Sequence, residues 1–329
     1  MRQAHGCREL DRSTFLRWTT PGLMFLIVAV GLLSACQQTP MPRKEQLQVV
    51  ASIYPVTDWA RQIGGDKVEV YTLLPAGISP HTFEPTPNEV RRLAHADVFF
   101  KIGLGLESWA EKVVEATAGT HLRVVTLADS LTMPGTTQGL TAHLPVHEHA
   151  ESPEKHQHLT TNPHVWLDPV MAQDMVNAIA KTYAAIDPPN AEYYKMRLIK
   201  YSEQLRALDE EIRHTVSGFT YRELITVHSF LPHFALRYDL HQAAVIDASP
   251  GKLPSPADIT RAVQLVRTMD KPVVFVEPQL SDKTARVIAN EVGAAVDILD
   301  PLGTPDDPER DTYIKLMKFN VKTLERYMK

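Results

Sequence analysis

From Leu47 onward, short β-branched apolar runs alternate with longer segments whose apolar residues recur every three or four positions. That alternation predicts an α/β fold with mostly parallel sheets. Strands are expected at 48–54, 68–74, 97–103 and 123–128, with helices at 56–64, 87–96 and 107–119 between them. Pro87 suits a first helical turn and Gly119 a helix stop. A second set of the same kind follows, with strands at 223–228, 242–247, 272–277 and 294–300 and helices at 229–238, 256–269, 281–292 and 308–328.

Between the two sets, Asn190 to Gly218 carries no proline and no internal glycine. Tyr194, Leu198, Tyr201, Leu205, Leu208 and Ile212 follow helical spacing, so one long helix is expected, entered through Pro188-Pro189. At 1.5 Å per residue it would reach about 40 Å, a stiff spine for both halves. The expected architecture is α/β in two lobes, each a small, mostly parallel sheet flanked by helices, joined by one long rigid backbone helix. The N-terminal lobe is assigned to 47–188 with a histidine-rich loop at 143–160, the linking helix to 189–218 and the C-terminal lobe to 219–329.

What precedes Leu47 has a different character. Arg2, Arg8, Arg12 and Arg17 lead into the uncharged apolar run Pro21 to Leu33, which has the length of a signal-peptide core and falls short of a comfortable membrane span. It ends in Leu33-Ser34-Ala35-Cys36, which resembles the lipobox of bacterial lipoproteins. Residues 1–35 are therefore expected to be a signal peptide, Cys36 a lipidated N-terminus and 36–46 a flexible tether. The expected location is extracytoplasmic, on a bacterial membrane.

Composition narrows the chemistry. The net charge is −5, and the leader is itself basic, so the rest is more acidic still and has no basic run; nucleic-acid partners are not expected. With Cys7 in the leader and Cys36 assigned to lipid, no thiolate is left for a disulfide or a metal. Any transition metal must be held by imidazole and carboxylate.

Ligands of open parallel sheets sit beyond the carboxyl ends of the strands. The polar residues expected there are His81 after 68–74, His228 at the end of "LITVH", Glu277 at the end of "VVFVE" and Asp300 at the end of "VDILD", with His164 in "NPHVWLDP" before a helix opening near Pro169. Each alone has an ordinary explanation as a hydrogen-bonded or turn residue. Together they would bring three imidazoles and a carboxylate to the facing edges of two lobes, a donor set that suits zinc. "HTFE" (81–84) is not the two-histidine helical motif of zinc proteases, and "GLGLESWA" lacks the third glycine and acidic partner of a dinucleotide site. Neither a nucleophile elbow nor a phosphate loop is present in the sequence.

"LLPAGISPHTFEPTPNEVRRLAHADVFFKIGLGLESWAEK" resembles the first-ligand segment of the ZnuA/TroA-like solute-binding lipoproteins that feed zinc and manganese ABC importers. "NPHVWLDP" and "VHSFLPHFALRYDL" resemble that family's second- and third-ligand motifs, and "SPGKLPSPADI", "VVFVEPQLSDKTARVIANEVGAAVDILDPLG" and "YIKLMKFNVKTL" its later blocks in order. The resemblance implies metal ligands at His81, His164 and His228, Asp300 as a fourth group where a carboxylate is used, and a supporting place for Glu277. It departs at Leu253, where many relatives have Glu, at Pro80, which excludes an acidic neighbour of His81, and at Pro232-His233, where His233 competes for the third position. Manganese-type members tend to carry Glu in place of the third histidine, so His228 favours Zn²⁺, with Mn²⁺ or Fe²⁺ as runner-up.

The resemblance further implies a non-catalytic, monomeric receptor that hands metal to an ABC permease and its ATPase. A metal-dependent adhesin and a zinc hydrolase, for which Glu277 is the one obvious base, are the rival readings. His143, His147, His149, His156 and His158 lie in a Pro- and Glu-containing stretch without hydrophobic period, expected to be an accessory arm that binds zinc weakly.

Overall fold

The computed structural model describes residues 46–117, 121–131, 162–246 and 255–329. Each half forms a four-stranded sheet in which every pairing is parallel. The first contains β1 (Leu47–Ala51), β2 (Val68–Thr72), β3 (Val98–Lys101) and β4 (Arg123–Thr126) in the order β2-β1-β3-β4. The second contains β5 (Glu223–Thr226), β6 (His241–Val245), β7 (Val273–Val276) and β8 (Ala295–Ile298) in the equivalent order β6-β5-β7-β8. Chain direction across each sheet reverses beside its first strand, which creates a crevice at the carboxyl ends of β1 and β3 and another at those of β5 and β7.

Helices α1 (Tyr54–Gly64), α2 (Pro87–Ala94) and α3 (Ala110–Ala116) follow the strands of the first sheet. Helix α4 (Pro169–Ile186) and the spine α5 (Ala191–Ser217) come next, then α6 (Pro232–Arg237), α7 (Pro256–Val266), α8 (Lys283–Val292) and α9 (Tyr313–Met328). All eight expected strands form, and each starts within a residue of expectation. The apolar runs were read one to three residues too far at their carboxyl ends. The surplus residues leave the ladder and enter the crevices, which is where His228, Glu277 and Asp300 stand.

Helix starts moved for identifiable reasons. Helix α6 begins at Pro232, because a residue without an N–H fits the first turn. Helix α9 begins after Thr312, whose hydroxyl accepts from Lys315 N–H as an N-cap. Helix α3 opens late because Glu107 is drawn into another role: its carboxylate accepts from Ile102 and Gly103 N–H at 2.8 and 2.9 Å.

The spine buries Tyr194, Tyr201, Leu205, Leu208, Ile212 and Val216 on one face. Its buried stripe belongs to a single apolar core that includes Val49, Trp59 and Phe99 of the first half and Leu224, Phe230 and Phe275 of the second. A smaller core lies around Ile225, Val274 and Ile288. Helix α9 packs on both α5 and α1. Tyr313 N–H donates to the buried Asp58 carboxylate at 2.9 Å, and Tyr54 O–H donates to the Asp311 carbonyl at 2.8 Å. A continuous core plus these crossing bonds opposes hinge motion between the halves. Among the described residues, no helix is long and apolar enough to cross a membrane.

Candidate metal centre

The loop after β2 carries His81. Trp109 Nε1–H donates to the Pro80 carbonyl at 3.1 Å, and Phe83 packs edge-on against the same indole at 5.2 Å. The peptide before His81 is thus clamped by a buried aromatic pair. His164 precedes a single 3₁₀ turn, Val165–Leu167, whose three residues are all buried. Trp166 in that turn donates to the Pro301 carbonyl at 2.7 Å, and its own carbonyl accepts from Tyr313 O–H at 2.8 Å. His228 leaves β5 next to Glu277, which leaves the neighbouring β7.

These three segments bring His81, His164 and His228 together, with one ring nitrogen of each inside a group whose members all lie within 4.8 Å. The ring centroids are 4.9 to 5.3 Å apart. His81 Nε2 and His164 Nε2 are 3.3 Å apart. Two nitrogens bound to one tetrahedral zinc at about 2.0 to 2.1 Å are themselves separated by roughly 3.3 Å.

The hydrogen bonds fix which nitrogens carry protons. Asn162 Nδ2 donates to the Ser229 carbonyl at 2.7 Å, so its Oδ1 is the acceptor that faces both the backbone N–H and Nδ1 of His164, at 3.0 and 2.9 Å. Nδ1 of His164 must therefore be the N–H, which leaves a lone pair on Nε2, the atom that faces His81. In the same way His228 Nδ1 faces Glu277 Oε1 at 3.0 Å, so its N–H points at the carboxylate and its Nε2 is free to ligate. Burial pushes the Glu277 carboxyl up, opposed by this contact. Burial also holds His81 down to about 4 and His164 well below the ordinary imidazole range, with His228 nearby adding to both. The arrangement gathers three imidazoles where a cation would repay their desolvation.

Ser79, Pro80, Trp166, Gln279 and Leu302 complete the walls around His81, His164 and Glu277, enclosing about 10 Å³. That is room for one water-sized body, an ion and not an organic metabolite.

Not every expected residue joins the group. Asp300 is buried beside the cavity, but its Oδ2 accepts from Arg310 Nη1 at 2.8 Å and its Oδ1 from Gln279 Nε2 and Leu302 N–H, both at 2.9 Å. With both oxygens engaged, it stands outside the three-imidazole set. His233 is also outside: it is buried, its Nε2–H donates to the Asn162 carbonyl at 2.8 Å, and burial lowers its pKa. It supports the residue that orients His164. Glu277 holds His228 and is not a free base. The loop histidines 143, 147, 149, 156 and 158, together with Cys36 and Leu253, lie outside the described residues.

Arg237 joins two of these segments. Its guanidinium makes two bonds to Asp209 on the spine, at 2.7 and 2.6 Å, and lies 3.3 Å from Asp168, the N-cap of α4 just after His164. Neither Asn162, Gln279, Arg237 nor Arg310 carries a spacing signal. Asn162, two residues before a ligand-type histidine, is the one that local chemistry points to, because a ligating imidazole needs an acceptor for its other nitrogen.

The sequence profile described as "ZnuA: Zinc-uptake complex component A periplasmic" matches residues 49–327. The "High-affinity zinc uptake system protein ZnuA" of Bacillus subtilis is 29% identical over 320 residues, covering 94% of this chain and 98% of that protein. The "Zinc-binding lipoprotein AdcA" of Streptococcus pneumoniae serotype 4 is 28% identical over 308 residues, covering 92% of this chain, which spans 60% of that protein's length. A solved structure described as "Crystal structure of ZnuA" superposes with a TM-score of 0.71 at 26% identity, covering 86% of this chain and 99% of that one. With a profile match that takes in both sheets, the spine and all three histidines, this chain belongs to the ZnuA family of periplasmic zinc-uptake components.

Proposed function

We propose that the protein is a high-affinity, extracytoplasmic Zn²⁺ receptor that holds its cargo on Nε2 of His228 and ring nitrogens of His81 and His164 and delivers it to an ABC-type importer. The observation that carries this reading is the 3.3 Å approach of two imidazole nitrogens within the three-histidine group, at the spacing of a shared tetrahedral ion. Three nitrogens and a cavity of ion size favour zinc over manganese, which takes more oxygen. Its family is one of metal-binding receptors and not of enzymes. Glu277 is committed to His228, so a metal-bound water would find no free carboxylate base in it, which disfavours hydrolysis.

The capture step follows from the tautomers. Glu277 and Asn162 keep the Nδ1 protons of His228 and His164, so both Nε2 lone pairs are presented before the ion arrives and little reorganisation is needed. The single core across both halves supports capture with small movements of the halves. In this reading Cys36 carries the lipid anchor, residues 47–188 and 219–329 act as the two lobes on the 189–218 helix, and the protein works as a monomer. The five histidines between 143 and 158 collect zinc for the site, which predicts slower uptake at limiting zinc when 143–159 are deleted.

Competitive equilibrium titration with Zn²⁺ and Mn²⁺ tests the proposal. It requires one tight zinc site, weaker manganese binding and severe loss of zinc in His228→Ala. Tight manganese with weak zinc, or unchanged zinc in the variant, would overturn it.

A further inference from the structure

We propose that Arg310 is a specificity-determining residue of this site, acting by holding the Asp300 carboxylate away from the three imidazoles. This inference rests on the receptor reading above. Asp300 is placed to ligate: it is buried, it follows β8, and the next two residues, Pro301 and Leu302, sit at or beside the cavity that His81 and His164 line. Its backbone is fixed by Asn320 of α9, which accepts from its N–H at 2.8 Å and donates to its carbonyl at 2.7 Å. Only the side chain is left to choose between an ion in the cavity and the guanidinium.

The guanidinium is firmly held. Arg310 Nε and Nη2 donate to Asp307 Oδ2 at 2.9 and 2.6 Å, and its carbon lies 5.0 Å from the centre of the Phe319 ring. The loop folds tightly to bring it there. Gly303 has φ of 71°, and a Cβ at that position would come within 2.7 Å of the Arg310 carbonyl. A fork clamped between Asp307 and Asp300 has a geometry that a mobile surface arginine lacks. It gives Asp300 a competing partner that any metal must displace.

Gln279 supports the same division. Its Nε2 donates to Asp300, so its Oε1 is turned the other way, buried without a hydrogen-bond partner among the described residues, and Gln279 lines the cavity with His81 and His164. An acceptor there suits the proton of a water in the fourth position of a three-nitrogen zinc ion. With Asp300 withheld, the site offers nitrogen and water, which zinc accepts readily. With Asp300 released, it would offer a hard anionic oxygen, which benefits manganese most.

The experiment measures the ratio of Zn²⁺ to Mn²⁺ affinity in the full-length protein, in Arg310→Met, in Asp307→Asn and in the double variant Arg310→Met/Asp300→Asn, with Co²⁺ absorption as a report on the donor set. Arg310→Met is expected to narrow the zinc preference by about tenfold or more and to change the Co²⁺ bands, the scale on which partners of ligands act. The double variant, which has no carboxylate to release, should regain the wild-type ratio. Asp307→Asn, a change on a partly exposed loop, should shift the ratio in the same direction by less, and decides the matter alone if Arg310→Met does not fold. A wild-type ratio in the folded variants, or a narrowed ratio that persists in the double variant, would overturn the inference. Those results would leave tight zinc binding intact; failure of the wild type to bind zinc would instead overturn the receptor reading.

Discussion

His228 and Glu277 leave neighbouring parallel strands at the crevice of the second sheet, and their side chains meet at 3.0 Å with both almost wholly buried. The contact sets the proton on Nδ1 and turns Nε2 toward His81 and His164. Replacing Glu277 by Ala would leave that ring without its orienting acceptor. Zinc affinity is expected to fall by about 10- to 100-fold, the usual effect of losing a ligand's partner. A competition titration checks this, and affinity within a factor of two of wild type would mean the contact does not orient the ligand.

Asn162 does the same for His164 through a neutral amide, and also ties this segment to Ser229 beside His228. Asn162→Leu removes all three side-chain bonds, to Ser229 and to the N–H and Nδ1 of His164, whereas Asn162→Asp keeps an acceptor for both His164 donors. The first variant should lose roughly 10- to 100-fold in zinc affinity and the second distinctly less. Equal losses would show that the tie to Ser229 matters more than the tautomer.

The fold was legible in the sequence because its strands are short apolar runs bounded by turn residues, and the spine's stripe from Tyr194 to Ile212 is long enough to be read only one way. The three histidines stand where open parallel sheets place their ligands, so position made them candidates. What holds the Asp300 side chain was not legible, for a physical reason: Arg310, ten residues later, reaches back to it through a loop closed at Gly303, and no periodicity records such a pairing. The tie from Asn162 to Ser229 was hidden likewise, because a side-chain amide between two segments leaves no pattern along either.

Arg237 holds the start of α4 and the end of α6 to the spine. Arg237→Ala leaves the buried Asp168 without its cation and Asp209 with only the exposed Arg213 at 3.5 Å, and should destabilise the fold by about 3 kcal/mol, within the range for breaking a partly buried pair. Denaturant unfolding measures this. A change below about 0.5 kcal/mol would place the network among exposed pairs of little consequence.

The buried imidazoles also predict how the metal-free protein responds to acid. His81 is held down to about 4, and His164 and His233 are lowered by burial, whereas the unfolded chain protonates them near the ordinary value of about 6.5. Below that pH the unfolded state takes up protons that the fold refuses. Their contribution is therefore fully present above about 6.5 and is lost as pH falls toward 4. The melting temperature of the zinc-free protein should drop between pH 7 and 5, and less steeply in His81→Gln. Parallel profiles for the two proteins would contradict the burial assigned to His81.

The central claim is that one zinc ion sits on three imidazole nitrogens, and X-ray absorption at the zinc edge of protein loaded with one equivalent reads this most directly. Expected are about three imidazole nitrogens near 2.0 Å with a light fourth donor, and loss of one imidazole in His228→Ala. A first shell dominated by oxygen, or a wild-type imidazole count in that variant, would contradict it.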